Sequence, residues 1–211
     1  EPLPAVFDYE QALAPDSPRV HAQRPSNLVR EHRYEHGDVD RAFAGASAAV
    51  EGTFRLAAQA HGCLGTAGVV ASWDTSGRLT LHDPTQIPFL VQRDIAEALG
   101  IDASNVRVVQ PAIAAGFGAR LDLYPHEVIA ALLARAARRP VRIRFGREED
   151  FHADPVRPRT RIHLRTAADA SGRLLAREAT VLVDSGAYVS WGSATPVVMM
   201  HTMGCMYRVP H

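Results

Sequence analysis

The chain has 211 residues, 46% hydrophobic and 22% charged, values that exclude a disordered, collagenous or coiled-coil protein. Its 23 basic residues, all arginine, balance 23 acidic ones, so no net field gathers nucleic acid or an anionic membrane. Cys63 and Cys205 lack the spacing for zinc, an iron–sulfur cluster or a disulfide framework, and no apolar run nears the roughly 20 residues that span a bilayer. The start, Glu1-Pro2-Leu3-Pro4, lacks a basic region followed by an apolar one, which points to a cytoplasmic chain with the periplasm left open.

Residues 1–37, rich in Pro, His, Arg and Asp, read as a linker with one short strand at Ala5-Val6-Phe7. Asp38 to Ala46 carries Val39, Ala42, Phe43 and Ala46 at helical spacing behind an Asp N-cap. A strand is expected over 49–58, and a hairpin over 68–73 and 78–81 across Asp74-Thr75-Ser76-Gly77. Pro88 opens a helix with an apolar stripe of Phe89, Leu90, Ile95, Ala98 and Leu99, which Gly100 ends. After a strand over 106–109 and a glycine-containing loop, Pro125 opens a second helix carrying Val128, Ile129, Leu132 and Leu133. A strand over 140–145 and a hairpin over 160–166 and 173–183, across Asp169-Ala170-Ser171-Gly172, complete the regular part. The tail from Ser185 is apolar without a clean period, and 197–206 is expected to expose apolar surface. Together these make an α+β chain with mixed sheets and two subdomains broken near 145–160.

Two loops carry candidate chemistry because each follows a strand and precedes a helix. In Asp83-Pro84-Thr85-Gln86-Ile87-Pro88, Gln86 offers one carbonyl acceptor and two amide donors. The bland alternative is a turn with a capping Gln, favoured about two to one on residues alone. In Gln110 to Arg120, small residues on both sides of Phe117 let backbone approach a bulky partner, the alternative being a tight turn with Phe117 in the core. Glu148, Glu149 and Asp150 read as a helix-start or surface cluster, and His61 and His126 as structural or solvated.

In order along the chain, several segments resemble the molybdenum hydroxylase family of xanthine dehydrogenases and aldehyde oxidases. They are Glu1-Pro2-Leu3-Pro4-Ala5-Val6, Gly37-Asp38-Val39, Thr85-Gln86-Ile87-Pro88, Gly116-Phe117-Gly118-Ala119-Arg120, Arg139-Pro140-Val141, Arg147-Glu148-Glu149, Asp184-Ser185-Gly186-Ala187-Tyr188 and Tyr207-Arg208-Val209-Pro210. The resemblance divides the chain into the end of a preceding small domain and linker, 1–37, and the N-terminal part of a molybdopterin-binding domain, 38–211. It implies an excised piece of a large subunit, inactive alone. Its cofactor would be molybdopterin, as the simple or a dinucleotide form, oxidising an aldehyde or N-heterocyclic carbon with water as the oxygen source. By carry-over, Gln86 would donate to the apical oxo ligand of the cofactor. Phe117 and the backbone of Gly116, Gly118, Ala119 and Arg120 would line its pocket, with no direct metal ligand from the chain. Leu121 stands where purine-oxidising relatives carry a substrate-binding Glu, which favours an apolar substrate. The general-base Glu lies beyond His211, so no catalytic residue is assigned here. Partners would be the rest of the large chain and separate subunits carrying iron–sulfur clusters and FAD.

The departures are Ala114, Ala115 and Ala119 for loop glycines, Arg120 for Lys, and Gly65 for the Glu of a His-x-x-x-Glu segment led by His61. They support an alternative, a cofactor-free paralogue serving as a scaffold or interaction domain. Phe117 is expected to be exposed in a loose 114–120 loop, because its contacts would be cofactor and residues beyond His211.

Overall fold

The computed structural model describes residues 4–211, with 204 and 205 as backbone only. The strand expected at Ala5-Val6-Phe7 does not form, and the first three residues of the Glu1-to-Val6 segment lie outside the described residues. Asp38 caps α1 (Val39–Ala44) by accepting from the Arg41 amide at 3.0 Å. Then come β1 (Ala48–Leu56), β2 (Gln59–Ala60) and the hairpin of β3 (Gly68–Trp73) and β4 (Leu79–His82). The Asp74 carboxylate accepts from the Ser76 and Arg78 amides, and Gly77 takes φ 83°, which closes the turn. α2 (Pro88–Leu99) opens on its proline and ends at Gly100 in the left-handed region. β5 (Val106–Val109), α3 (Pro125–Ala137), β6 (Val141–Arg144), α4 (Arg147–Ala153) and β7 (Val156–Arg157) follow. The last elements are β8 (Thr160–Ala168), β9 (Leu174–Val183) and α5 (Thr195–Cys205), a helix that the aperiodic apolar tail did not announce.

The chain folds as two units, one holding the chain up to Ala58 and from Pro158 onward, the other spanning Gln59–Arg157. In the first unit, β1-β8-β9 form an antiparallel sheet with Thr53 opposite His163 and Thr160 opposite Val183. The backbone of His211 bonds to both Leu175 and Arg177, so the tail returns to β9.

In the second unit the sheet order is β5-β4-β3-β6, with β4 and β5 parallel and the other pairs antiparallel. Alternate residues Val69, Ala71, Leu79 and Leu81 face the core, where they meet Val91, Ile95 and Ala96 of α2 and Ala130, Ala131 and Ala134 of α3. This corrects the expected helix stripes. In α2 the expected Ile95 and Leu99 do pack inward, but Phe89 is 83% exposed and Leu90 is also exposed, and Val91 and Ala96 complete the inner face. α3 turns its alanines to the sheet and leaves Ile129, Leu132 and Leu133 exposed, because small residues let the helix lie close enough for Trp73 Nε1 to donate to the Ala131 carbonyl at 2.8 Å. Among the described residues no helix is long and apolar enough to cross a membrane.

A parallel pair needs a crossover, here supplied by α2. The consequence for function is positional. The segments that leave the carboxyl ends of β4 and β5 are the two loops singled out by chemistry, and they start side by side, with the Asp83 amide donating to the Val109 carbonyl at 3.0 Å.

Candidate functional site

The two loops are stitched together by Thr85, Gln86 and Arg120. Gln86 N donates to the Arg120 carbonyl at 2.9 Å and Thr85 Oγ1 to the same oxygen at 3.2 Å, while Thr85 Oγ1 accepts from Ile87 N. Gln110 Nε2 donates to the Thr85 carbonyl at 2.6 Å, adding a tie from the second loop to the first. In return, the side-chain carbonyl Oε1 of Gln86 accepts from Gly118 N at 3.1 Å and Arg120 N at 3.3 Å. With Oε1 so engaged, the amide is fixed in one orientation and its Nε2 is left as an outward donor.

Gly116 makes this arrangement possible. A Cβ there would stand 2.3 Å from Gln86 Oε1 and 2.4 Å from Cδ, inside any permissible contact. Gly116→Ala is therefore expected to displace the Gln86 side chain at a cost of about 1 kcal/mol, the net worth of the hydrogen bonds lost. A double-mutant cycle checks this, since the same change should cost little once Gln86 is alanine.

The backbone of the second loop is strained where it passes Gln86. Ala115 takes φ 138° and Phe117 φ 51°, both in the region that favours glycine, and Gly118 follows at φ 98°. Phe117 is 74% exposed, as expected, with its ring turned away from the core. Ala119 is fully buried beside it, and Cys63 Sγ donates to the Gly116 carbonyl from below at 3.4 Å.

Arg120 is 5% exposed and committed inward: Nη1 lies 2.6 Å from Asp154 and Nη2 3.3 Å from Asp150. Asp150 in turn accepts from the Ala67 amide at 2.7 Å and pairs with Arg147, which donates to the Leu64 carbonyl. This corrects the reading of Asp150 as part of a surface cluster; it is a buried hub joining three segments. The sequence signal for it was Arg120 itself, a cation in an otherwise apolar loop that had to be buried with a counter-ion. Glu149 does serve the helix start, accepting from Gly146 N at 2.6 Å.

Under the loops lies a second ionisable group that sequence reasoning missed. Asp83 and Glu127 are both buried, and Asp83 Oδ2 meets no hydrogen-bond partner among the described residues. Burial pushes the Asp83 carboxyl up to about 6, and burial together with the neighbouring Asp83 pushes Glu127 up to about 8. His126, expected to be structural or solvated, is a partly buried ring whose pKa is lowered to about 4 by burial and by Arg120.

The description "molybdopterin cofactor-binding domain" matches residues 20–211. The chain belongs to that family. It is 34% identical over 213 residues to the nicotinate dehydrogenase large molybdopterin subunit of Eubacterium barkeri, covering 100% of this chain and 49% of that protein. It is 30% identical over 204 residues to a probable xanthine dehydrogenase subunit of Bacillus subtilis (strain 168), covering 96% and 27%. Quinoline 2-oxidoreductase from Pseudomonas putida 86 has the same fold at a TM-score of 0.83 and 32% identity, over 89% of this chain and 24% of that one. Aldehyde oxidoreductase from Desulfovibrio gigas gives 0.81 and 26%, over 87% and 20%. The chain thus spans about half, or less, of the length of these proteins.

The residues present fit a ligand rich in acceptor atoms at this place. Gln86 offers a fixed N–H donor, Gly116 and Gly118 keep the backbone bare, and Phe117 stands as a flat apolar wall. The Arg120 side chain is spent on Asp150 and Asp154 and its backbone on Gln86 and Thr85, so its part is to hold the two loops together.

Proposed function

We propose that the chain is part of the molybdopterin-binding large subunit of a hydroxylase or dehydrogenase that oxidises an aldehyde or N-heterocyclic carbon by two electrons, with oxygen from water. The observation that carries this reading is the exposed Gln86 amide, its Oε1 held by Gly118 N and Arg120 N so that Nε2 remains as its donor. The relatives support the substrate class, being by name a nicotinate dehydrogenase, a probable xanthine dehydrogenase, a quinoline oxidoreductase and an aldehyde oxidoreductase.

In this reading Gln86 Nε2 donates to an acceptor atom of the cofactor, Phe117 and the backbone from Gly116 to Arg120 line its pocket, and Leu121 gives the substrate an apolar wall. The cofactor supplies Lewis acidity and accepts the electron pair when bound. The partners are the remainder of the large subunit and, for onward electron transfer, subunits carrying iron–sulfur clusters and flavin.

Gln86→Glu separates the two duties of this side chain. A carboxylate keeps both hydrogen bonds from Gly118 N and Arg120 N but has no donor. In the complete subunit, expressed with its natural downstream sequence, we expect bound molybdenum and pterin, a turnover lowered about 100-fold by Gln86→Glu, and thermal stability changed by about 0.5 kcal/mol or less. An unchanged rate removes Gln86 from the site. Absence of pterin from the unsubstituted protein favours instead a cofactor-free scaffold, the reading to which Ala115 at φ 138° lends its support.

A further inference from the structure

We infer that His61 is a second hydrogen-bonding side chain of this site, an acceptor that selects neutral heteroaromatic substrates bearing an N–H. The inference rests on the proposed function and adds to it the side of the pocket facing the substrate.

Nδ1 of His61 lies 3.0 Å from the Pro155 carbonyl oxygen. A carbonyl only accepts, so Nδ1 carries the hydrogen, and in the neutral ring Nε2 keeps its lone pair on the opposite side. That side is the second loop. Nε2 lies 3.5 Å from where a Cβ on residue 118 would stand, with Leu121 Cδ1 at 3.9 Å. A side chain at 118 would begin in van der Waals contact with Nε2, and φ 98° also reserves the position for glycine.

Gly118 is therefore flanked by two polar side chains of opposite character. Gln86 takes its amide hydrogen and presents a donor; His61 stands against its Cα and presents an acceptor. Leu121 brings no charge, and no side chain enters from Gly65, where a Cβ would lie 2.9 Å from Ala114 Cβ. A flat neutral ring with one N–H matches these walls. Arg120, the cation of the second loop, is held by Asp150 and Asp154 and is not free to meet an anionic ring.

Benzimidazole and 1-methylbenzimidazole differ by the one hydrogen in question. In calorimetric titration of the complete, molybdopterin-loaded subunit, benzimidazole is expected to bind about fivefold more tightly, the worth of one neutral hydrogen bond. His61→Phe should bring the two affinities within about a factor of two, whereas His61→Gln, which keeps an acceptor, should retain the preference. Histidine-selective nitrogen spectra of the unsubstituted protein give the same answer without a variant: the Nε2 signal of His61 should move with benzimidazole and stay with the methylated ring. Equal affinities, a preference that survives in His61→Phe, or a motionless Nε2 signal overturns the inference. Molybdenum and pterin content of the same preparation reports on the cofactor reading alone. An unloaded protein that prefers benzimidazole through His61 would overturn that reading and leave this inference standing.

Discussion

Arg120→Ala is expected to destabilise the unit that spans Gln59–Arg157 by about 3 kcal/mol, because it removes the buried cation shared by Asp150 and Asp154. Asp150 would keep Arg147 and the Ala67 amide, but Asp154 would lose the guanidinium that pairs with it in a half-buried position. The loss reaches the site, since the backbone of Arg120 holds Gln86 and Thr85. Arg120→Lys keeps the charge but gives up the fork that spans both carboxylates, and a smaller loss, about 1–2 kcal/mol, is expected. Urea unfolding followed by tryptophan fluorescence reads both changes, Trp73 being part of this unit's packed cluster. Combining Arg120→Met with Asp150→Asn and Asp154→Asn should recover much of the loss, since no buried charge then stands alone. A triple variant less stable than Arg120→Ala would show that the network contributes through packing.

The parts of the fold that were legible in the sequence are those fixed locally. Asp74 to Gly77 and Asp169 to Gly172 specify turns by side-chain bonds to their own backbone, and Pro88 and Gly100 bracket a helix by what they forbid. On the helices, large apolar residues mark the inner face only in part: Ile95, Leu99 and Val128 pack inward, whereas Phe89, Leu90, Ile129, Leu132 and Leu133 are exposed. Which face is buried depends on how closely a helix can approach a sheet, and Ala130, Ala131 and Ala134 decide that for α3. At the site, Gln86 and Phe117 were visible as residue types in strand-to-helix loops. Their connections were not, since Asp150 is 30 residues from Arg120 and Glu127 is 44 from Asp83, pairs that only the folded sheet brings together.

The second large effect is a stability that falls as pH rises to slightly alkaline values. Asp83 and Glu127 have carboxyl groups raised by burial, from 3.8 to about 6 and from 4.5 to about 8, so the folded state holds protons that the unfolded chain has released. Their contribution is complete below the ordinary carboxyl range and is lost as pH passes the folded values. His126 works in the opposite sense, because burial lowers it from 6.5 to about 4 and folding gains stability as pH rises across that interval. The neighbouring groups include Arg120, which lowers both carboxyls, and Asp122 and Asp154, raised by burial, whose effect has the same sign as that of Asp83. Below about pH 6.5 these terms oppose one another. Above it His126 and Asp83 finish titrating with opposite effects, and Glu127 dominates. Stability of the unit is therefore expected to drop by about 1–2 kcal/mol between pH 6.5 and 8, near the limit of 1.36 kcal/mol per pH unit for one proton. Glu127→Gln keeps an oxygen to accept from Tyr124 N and cannot ionise, so it should flatten this slope and raise stability at pH 8. Denaturant midpoints at four pH values for both proteins are the measurement. A slope that persists unchanged in Glu127→Gln would assign the lost proton to another group.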